Sequence, residues 1–391
     1  MEERTRSYLR GRFRDFYRRK PPAEPPDATA REWGYIPWKG GSGTTMIRHR
    51  SVHDLGSLAA FLERERPRHV YFSAGRYEDP SAKSMEEKGW LGSDLVFDLD
   101  ADHLPGVNPT ENSYAEMLAA CKDALLRLLD LLERDFGFED LSITFSGGRG
   151  YHVHVRDPSI QSLDREQRRE VVEYVRGSGL SLESLLTEEP VAGRGRKTPT
   201  TRRSLPTSGG WGRRVVSRVQ ALTEELLELE EEAAIERLTE FQGVGETKAE
   251  AVLSVLERNT DAVMAGNVDV HPAFLPVVRA MVQEAVETDA SAIDEPVTTD
   301  THRLIRLPGS LHGGSGLRVV PLAREEVTDF DPLQEAIPET FRGHEIGVDV
   351  TADRTVELDG ESLSVRPGYQ QLPEYAGIFL MARGWAEKAQ E

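Results

Sequence analysis

The sequence predicts an α/β (α+β) protein, a mixed-sheet domain interrupted by a mainly helical insertion. Three observations carry this. Short alternating apolar and polar runs, bounded by glycine turns, dominate up to about residue 158. From 159 to 290 the periodicity becomes almost wholly helical, and beyond 290 strand-like runs return. The expected division is therefore 1–158 and 291–391 as two parts of one α/β domain, with 159–290 inserted between them.

Taken in order, the chain opens on the basic run RTRSYLRGRFRDFYRRK, and residues 27–34 (DATAREWG) carry a cap-like start. Residues 45–50 read as a short strand, HVYFSAG (69–75) as a second and LVFDLD (95–100) as a third. Residues 113–136 are the clearest helix: Met117, Cys121, Leu125, Leu128, Leu129 and Leu132 recur at helical spacing, Asn112 or Ser113 can cap it, and Gly137 stops it. Residues 141–145 and 151–155 alternate on either side of SGGRG and predict a hairpin. In the insertion, QALTEELLELEEEAAIERLTEF reads as one acidic amphipathic helix and AFLPVVRAMVQEAVE as another. Between them, GVGETKA fits either the backbone-gripping turn of a helix-hairpin-helix or an ordinary glycine turn between helices. After 290, RLIRLPGSL, LRVVPL, IGVDV, TVEL and SLSV read as strands, and PEYAGIFLMARGWAEKAQE as a closing helix.

Composition narrows the class. Acids outnumber bases 67 to 48, and only eight of those bases are lysine. An acidic, lysine-poor surface suits molar salt, where the Debye length falls to about 3 Å and long-range repulsion is screened. Acidity therefore does not exclude a nucleic-acid substrate here. The single cysteine, Cys121, excludes an internal disulfide and any multi-cysteine zinc or iron–sulfur site. No apolar run approaches a membrane span and the N-terminus lacks a signal-peptide core, so a soluble cytoplasmic protein is expected. Two basic clusters stand against the acidic background, the N-terminal run and residues 194–218; each reads either as a solvated face or as a phosphate-contacting path.

Three constellations carry chemistry. In LVFDLDADH, Asp98 and Asp100 occupy alternate strand positions and so share a face about 6.5–7 Å apart. Paired hard oxygen donors suit Mg²⁺ or Mn²⁺ better than zinc. Asp102 shares the alternation and is expected to be a solvated strand-end acid. In SGGRGYHVHV, glycines let backbone amides turn toward an anion, and Ser146, Arg149 and His152 are donors suited to phosphate oxygens. His152 and His154 also share a face, which leaves a zinc-binding pair open as an alternative. In IDEPVTTDTHRLIRLPGSLH, a carboxylate, Asp294, precedes Arg303, Arg306, Ser310 and His312 around a Pro/Gly turn.

VFDLDADH, SGGRGYHVHV and RLIRLPGSLH, in this order, resemble the small catalytic subunit of archaeal–eukaryotic DNA primases. The likeness extends to REWGY (31–35) and the helical insertion, and the composition suggests a salt-adapted archaeal member. It implies a primase-type α/β catalytic domain and template-directed synthesis of short primers from nucleoside triphosphates on single-stranded DNA during replication. By motif position it implies that Asp98, Asp100 and Asp294 bind two Mg²⁺ or Mn²⁺ ions. It likewise implies that Ser146, Arg149, His152, Arg306 and His312, with Arg48 from the MIRHR strand, hold the triphosphate. The implied partners are a large, iron–sulfur subunit in a heterodimer and the DNA template. Two departures stand out: many relatives carry a zinc knuckle, which a single cysteine rules out here, and Gly148 stands where some have a second basic residue. The rival readings are a repair or primer-extending polymerase of the same fold, a metal-dependent nuclease or hydrolase using the histidine pair, and a non-catalytic DNA-binding subunit.

Overall fold

A computed structural model describes residues 1–38, 45–191 and 200–390. The chain divides into two compact units. The first comprises Met1–Leu126, Phe138–Val172 and Ala292–Glu391; the second comprises Arg127–Gly137 and Glu173–Ser291. The helical unit thus starts at Glu173 rather than 159 and also takes in the end of the first long helix.

Two antiparallel sheets organise the first unit. One runs Val320–Leu322, Leu141–Phe145, Gly150–Val155, Leu95–Asp100. The other runs Leu304–Arg306, His69–Tyr77, Arg31–Ile36, Ile47–Arg50, with Trp90–Ser93 also paired to His69–Tyr77. Helices and sheets mix as the sequence predicts, and every described strand pair is antiparallel. The Leu95–Asp100 strand forms because Leu95, Val96, Phe97 and Leu99 are all buried, so apolar transfer holds it in the core although its other end is acidic. The Tyr114–Arg134 helix buries the predicted Cys121, Leu125, Leu128, Leu129 and Leu132. Ser113 caps it reciprocally with Glu116: the Glu116 N–H donates to Ser113 Oγ at 3.2 Å, and the Ser113 N–H to Glu116 Oε2 at 2.7 Å.

Three local readings change. Residues 31–36 form a strand, hidden in the sequence because both faces are covered and no alternation survives. The long acidic helix is two helices, Gly210–Glu228 and Glu231–Thr239. The C-terminal helix spans only Glu374–Ala382, after which Ala386–Lys388 returns as a strand beside Glu345–Val350.

Ion pairing accounts for most of the described arginines of the two basic clusters. The N-terminal run is a helix, Glu3–Arg19, that buries Leu9, Phe13, Phe16 and Tyr17. Its Arg12 bridges Asp15 and Glu374, Arg6 pairs with Glu3, and Arg14 with Glu63. In the helical unit, Arg203 pairs with Asp269, Arg214 with Asp130 and Asp135, and Arg218 with Asp289. These side chains neutralise acids of their own unit, which favours a structural role over phosphate contact for them. Arg194, Arg196 and Lys197 lie outside the described residues. GVGETKA forms a turn into the Glu246–Met264 helix, where Gly243 needs its φ of +83° and its carbonyl accepts from Lys248.

Candidate active site

Register brings the first two motifs together. The strands Leu95–Asp100 and Gly150–Val155 pair so that Asp98 lies opposite His152 and Asp100 opposite Gly150. His152 Nε2 stands 3.4 Å from Asp98 Oδ1. The third motif joins through backbone, as the Asp294 N–H donates to the Asp98 carbonyl at 3.0 Å. Asp294 then heads the short helix Glu295–Thr299, with its carboxylate making no cap bond. Three carboxylates therefore converge at the end of one strand.

The electrostatics record that convergence. Burial pushes the Asp98 carboxyl up to about 6, and repulsion from Asp100 and then Asp294 adds to it, against the pull of Arg306 and Arg303. His152 is driven well below its ordinary value by burial first and then by Arg306, so it is a neutral imidazole at pH 7. His312 is displaced the same way by burial, Arg306 and His69.

A polar cleft of about 410 Å³ is lined by Arg48, Asp98, His152 and Arg306, together with Tyr71 and Arg303. A larger cavity of about 640 Å³, lined by Leu118, Phe330 and Leu333 among others, contains none of the predicted site residues. The polar cleft is the candidate site because buried polar atoms of its lining residues are unsatisfied. His152 Nδ1 and Arg306 Nε are both buried without a hydrogen-bond partner. Such orphans cost about 1–3 kcal/mol each unless a ligand meets them.

Asp100, Asp294, Ser146, Arg149 and His312 are not among the residues that line this cleft. Arg306 donates to the Ser146 carbonyl at 3.0 Å and lies over the Tyr71 ring. Ser146 closes its own turn, accepting the Gly148 N–H on Oγ at 3.3 Å. His312 packs edge-on against His69, and a Cβ at Gly148 would come within 3.3 Å of its Nε2. Arg149 is 40% exposed and directed at acids, with Nε 3.6 Å from Asp100 and Nη1 paired to Asp102. Arg48 pairs with the buried Glu32 at 3.1 Å. Asp102 corrects the sequence reading: it sits in the 3₁₀ turn Ala101–His103, off the strand alternation, and is an ion-pair partner of Arg149 rather than a solvated acid.

His154 does not pair with His152 as a metal ligand in this arrangement. Its Nδ1 is 3.0 Å from Asp94 Oδ2, and its ring stacks on Phe72. Arg31, wholly buried, adds both of its Nη2 bonds to Asp94 at 3.0 and 3.1 Å. Burial alone would raise the Asp94 carboxyl, but the His154 hydrogen bond and the Arg31 and Arg156 charges outweigh it and hold it well below the usual range. Among the described residues no group of three or more His, Cys, Asp or Glu side chains is placed to hold a metal ion. Sequence reasoning missed Tyr71, His69 and Glu32. Each lies on a strand buried on both faces, where neither a turn nor a charge cluster marks it.

The pattern of the family described as DNA primase small subunit matches residues 97–324, which span all three motifs. The chain belongs to the DNA primase small subunit family. Along its full length it is 63% identical to the DNA primase small subunit PriS of Halobacterium salinarum, with all of both chains covered. It is 59% identical to that of Haloarcula marismortui over all of both chains, and 39% identical to that of Methanococcoides burtonii over 99% of each. These relatives support a halophilic archaeal origin, which accounts for the acidic, arginine-rich composition. No described helix of this family member is long and apolar enough to cross a membrane.

Proposed function

We propose that the chain is the catalytic subunit that synthesises short primers on single-stranded DNA by metal-dependent nucleotidyl transfer from nucleoside triphosphates. The observation that supports this most is the pairing of clustered carboxylates with unsatisfied polar atoms: Asp98 is raised by burial and by its acidic neighbours, the Arg306 Nε donor is buried without a partner, and so is His152 Nδ1. One half of the site asks for cations and the other for an anion, as a metal–triphosphate complex would provide. Asp98, Asp100 and Asp294 would hold the divalent ions, Mg²⁺ or Mn²⁺. When bound, such ions supply the Lewis acidity that activates a 3′-hydroxyl and offsets phosphate charge.

The chain's own residues position and neutralise. Arg306 is anchored through one Nη to Ser146, which aims the rest of its guanidinium at the cleft. Neutral His152 offers a ring N–H to a phosphate oxygen without the desolvation cost of a buried cation. Arg149, held at Asp100 and Asp102, would reach a phosphate by exchanging those carboxylates for it; of the two, only Asp100 is proposed to hold metal as well. Ser146, His312 and Arg48 complete the triphosphate side. The partner proposed, on the family resemblance, is a large, iron–sulfur subunit in a heterodimer; a chain with one buried cysteine cannot carry that cluster itself.

Incorporation on an unprimed single-stranded template, assayed with and without the large subunit, tests this reading. The wild-type chain is expected to make primers de novo with Mg²⁺ or Mn²⁺, and Asp100→Asn to make none. Extension of annealed primers only, or near-normal incorporation by Asp100→Asn, would overturn it. Proton competition at Asp98 adds a second readout. Below about pH 6 the metal concentration for half-maximal rate should rise about tenfold per pH unit, and above it should flatten. Metal titrations at pH 5, 6, 7 and 8 at fixed ionic strength measure this.

A further inference from the structure

Three successive carbonyl oxygens of the SGGRG turn are each taken by a side chain from elsewhere in the chain. Arg306 Nη1 donates to the Ser146 carbonyl at 3.0 Å. Ser315 Oγ donates to the Gly147 carbonyl at 2.5 Å. Tyr114 Oη donates to the Gly148 carbonyl. The donors come from three places: a strand, the turn that follows His312, and the first turn of the Tyr114–Arg134 helix.

Carbonyl oxygens are the negative ends of peptide dipoles. In a turn meant to receive a polyanion, free carbonyls would repel it and compete for its cations and donors. The same turn also lies tight against His312. A Cβ at Gly147 would come within 2.7 Å of His312 Cβ, so a small rotation of the turn changes where that ring stands. Gly147 has φ +72°, a conformation with little intrinsic preference to hold it in one place.

Tyr114 and Ser315 are themselves held. The Tyr114 ring lies under the Arg383 guanidinium, whose Cζ is 4.1 Å from the ring centroid, and Arg383 is sandwiched by Phe379 at 4.4 Å. Ser315 is buried, and its Oγ accepts the Leu317 N–H at 3.1 Å and lies 3.0 Å from His312 Nδ1. One hydroxyl therefore ties the glycine turn to the histidine expected on the triphosphate.

We infer that Tyr114 and Ser315 are positioning residues for triphosphate binding: they pin the SGGRG turn with its carbonyls turned to protein donors, leaving the substrate side of the turn to Arg149, His152 and His312. The inference rests on the triphosphate reading of the site. Neither residue touches the substrate; each acts by fixing backbone that does.

Tyr114→Phe and Ser315→Ala each delete one donor and leave the packing nearly intact. In the full chain, each is expected to raise KM for the nucleoside triphosphate roughly three- to tenfold, the scale of one hydrogen bond, with kcat within about twofold. The inhibition constant of inorganic triphosphate, which has no base or sugar, should rise by the same factor, while the affinity for single-stranded DNA stays unchanged. Arg306→Ala is the control for the underlying reading. If Arg306→Ala raises both constants while the two hydroxyl variants leave both unchanged, or lower only kcat or only the melting temperature, the positioning role is wrong and the site stands. If Arg306→Ala also moves neither constant, the triphosphate reading itself fails and the positioning role falls with it.

Discussion

Replacing Asp98 by Asn is expected to stabilise the metal-free protein above pH 6 while abolishing nucleotide incorporation. The sign follows from the direction of the titration. In the folded chain the Asp98 carboxyl is raised to about 6 by burial and by Asp100 and Asp294, against an ordinary value of 3.8. The stabilising contribution of its neutral form is complete below the unfolded value and is lost as pH rises through about 6. At pH 8 the chain carries the charged form at a cost of at most about 3 kcal/mol, an upper figure because the side chain is 25% exposed. Asn keeps the shape and removes the charge, so the melting temperature of the variant should exceed that of the wild type by several degrees at pH 8 and match it near pH 4. Divalent ions should raise the wild-type melting temperature and leave the variant's nearly unchanged. Scanning calorimetry at both pH values, with and without Mg²⁺, decides it. A variant less stable than wild type in metal-free buffer at pH 8 would mean that the three acids do not burden one another.

The opposite outcome is expected a few residues upstream. Asp94→Ala should destabilise the fold by about 3–5 kcal/mol, the cost of breaking a buried ion pair from one side. Asp94 is 1% exposed and receives Arg31, His154 and Arg156 together. Its removal strands the Arg31 guanidinium, which is wholly buried and whose remaining partners are neutral carbonyls of Pro26, Ser73 and Ala74. The carboxyl is depressed in the fold, so its contribution is present above about pH 4 and lost as pH falls below that. Because the pair is buried, salt screens it little, and the loss should persist between low and high salt. Denaturant midpoints across a salt series measure this. A loss that vanished at high salt would place the network at the surface in energetic terms. Asp94 and Asp98 lie four residues apart on one stretch of chain, yet one acid is matched by three partners, Arg31, His154 and Arg156, and the other is pushed up by burial and two neighbouring acids.

That contrast shows what was legible. Asp98, Asp100 and the SGGRG turn could be read from the sequence because alternation in a strand dictates which side chains share a face, and glycines mark the turn. The long helix ending near Gly137 was legible for the same reason, since its apolar spacing and its Ser113 cap are local properties. The status of Asp102 was not. Whether strand geometry continues past Asp100 depends on a 3₁₀ turn, and its pairing depends on where Arg149 arrives from the neighbouring strand. The basic clusters stayed open between two readings for a related reason. Arginine composition is local, but whether an arginine faces solvent or an acid such as Glu374 or Asp135 is set by residues up to several hundred positions away.

The sequence by itself determined the fold class, the family and the identity of the three acidic and basic motifs, because periodicity, composition and short-range spacing are properties of neighbouring residues. Tertiary structure alone decided which acids stay uncompensated, which arginines are spent internally, and which hydroxyls from residues 114 and 315 hold the glycine turn. Charge compensation and carbonyl pinning are pairwise terms between distant segments, and they acquire a value only when folding brings those segments within a few ångströms of each other.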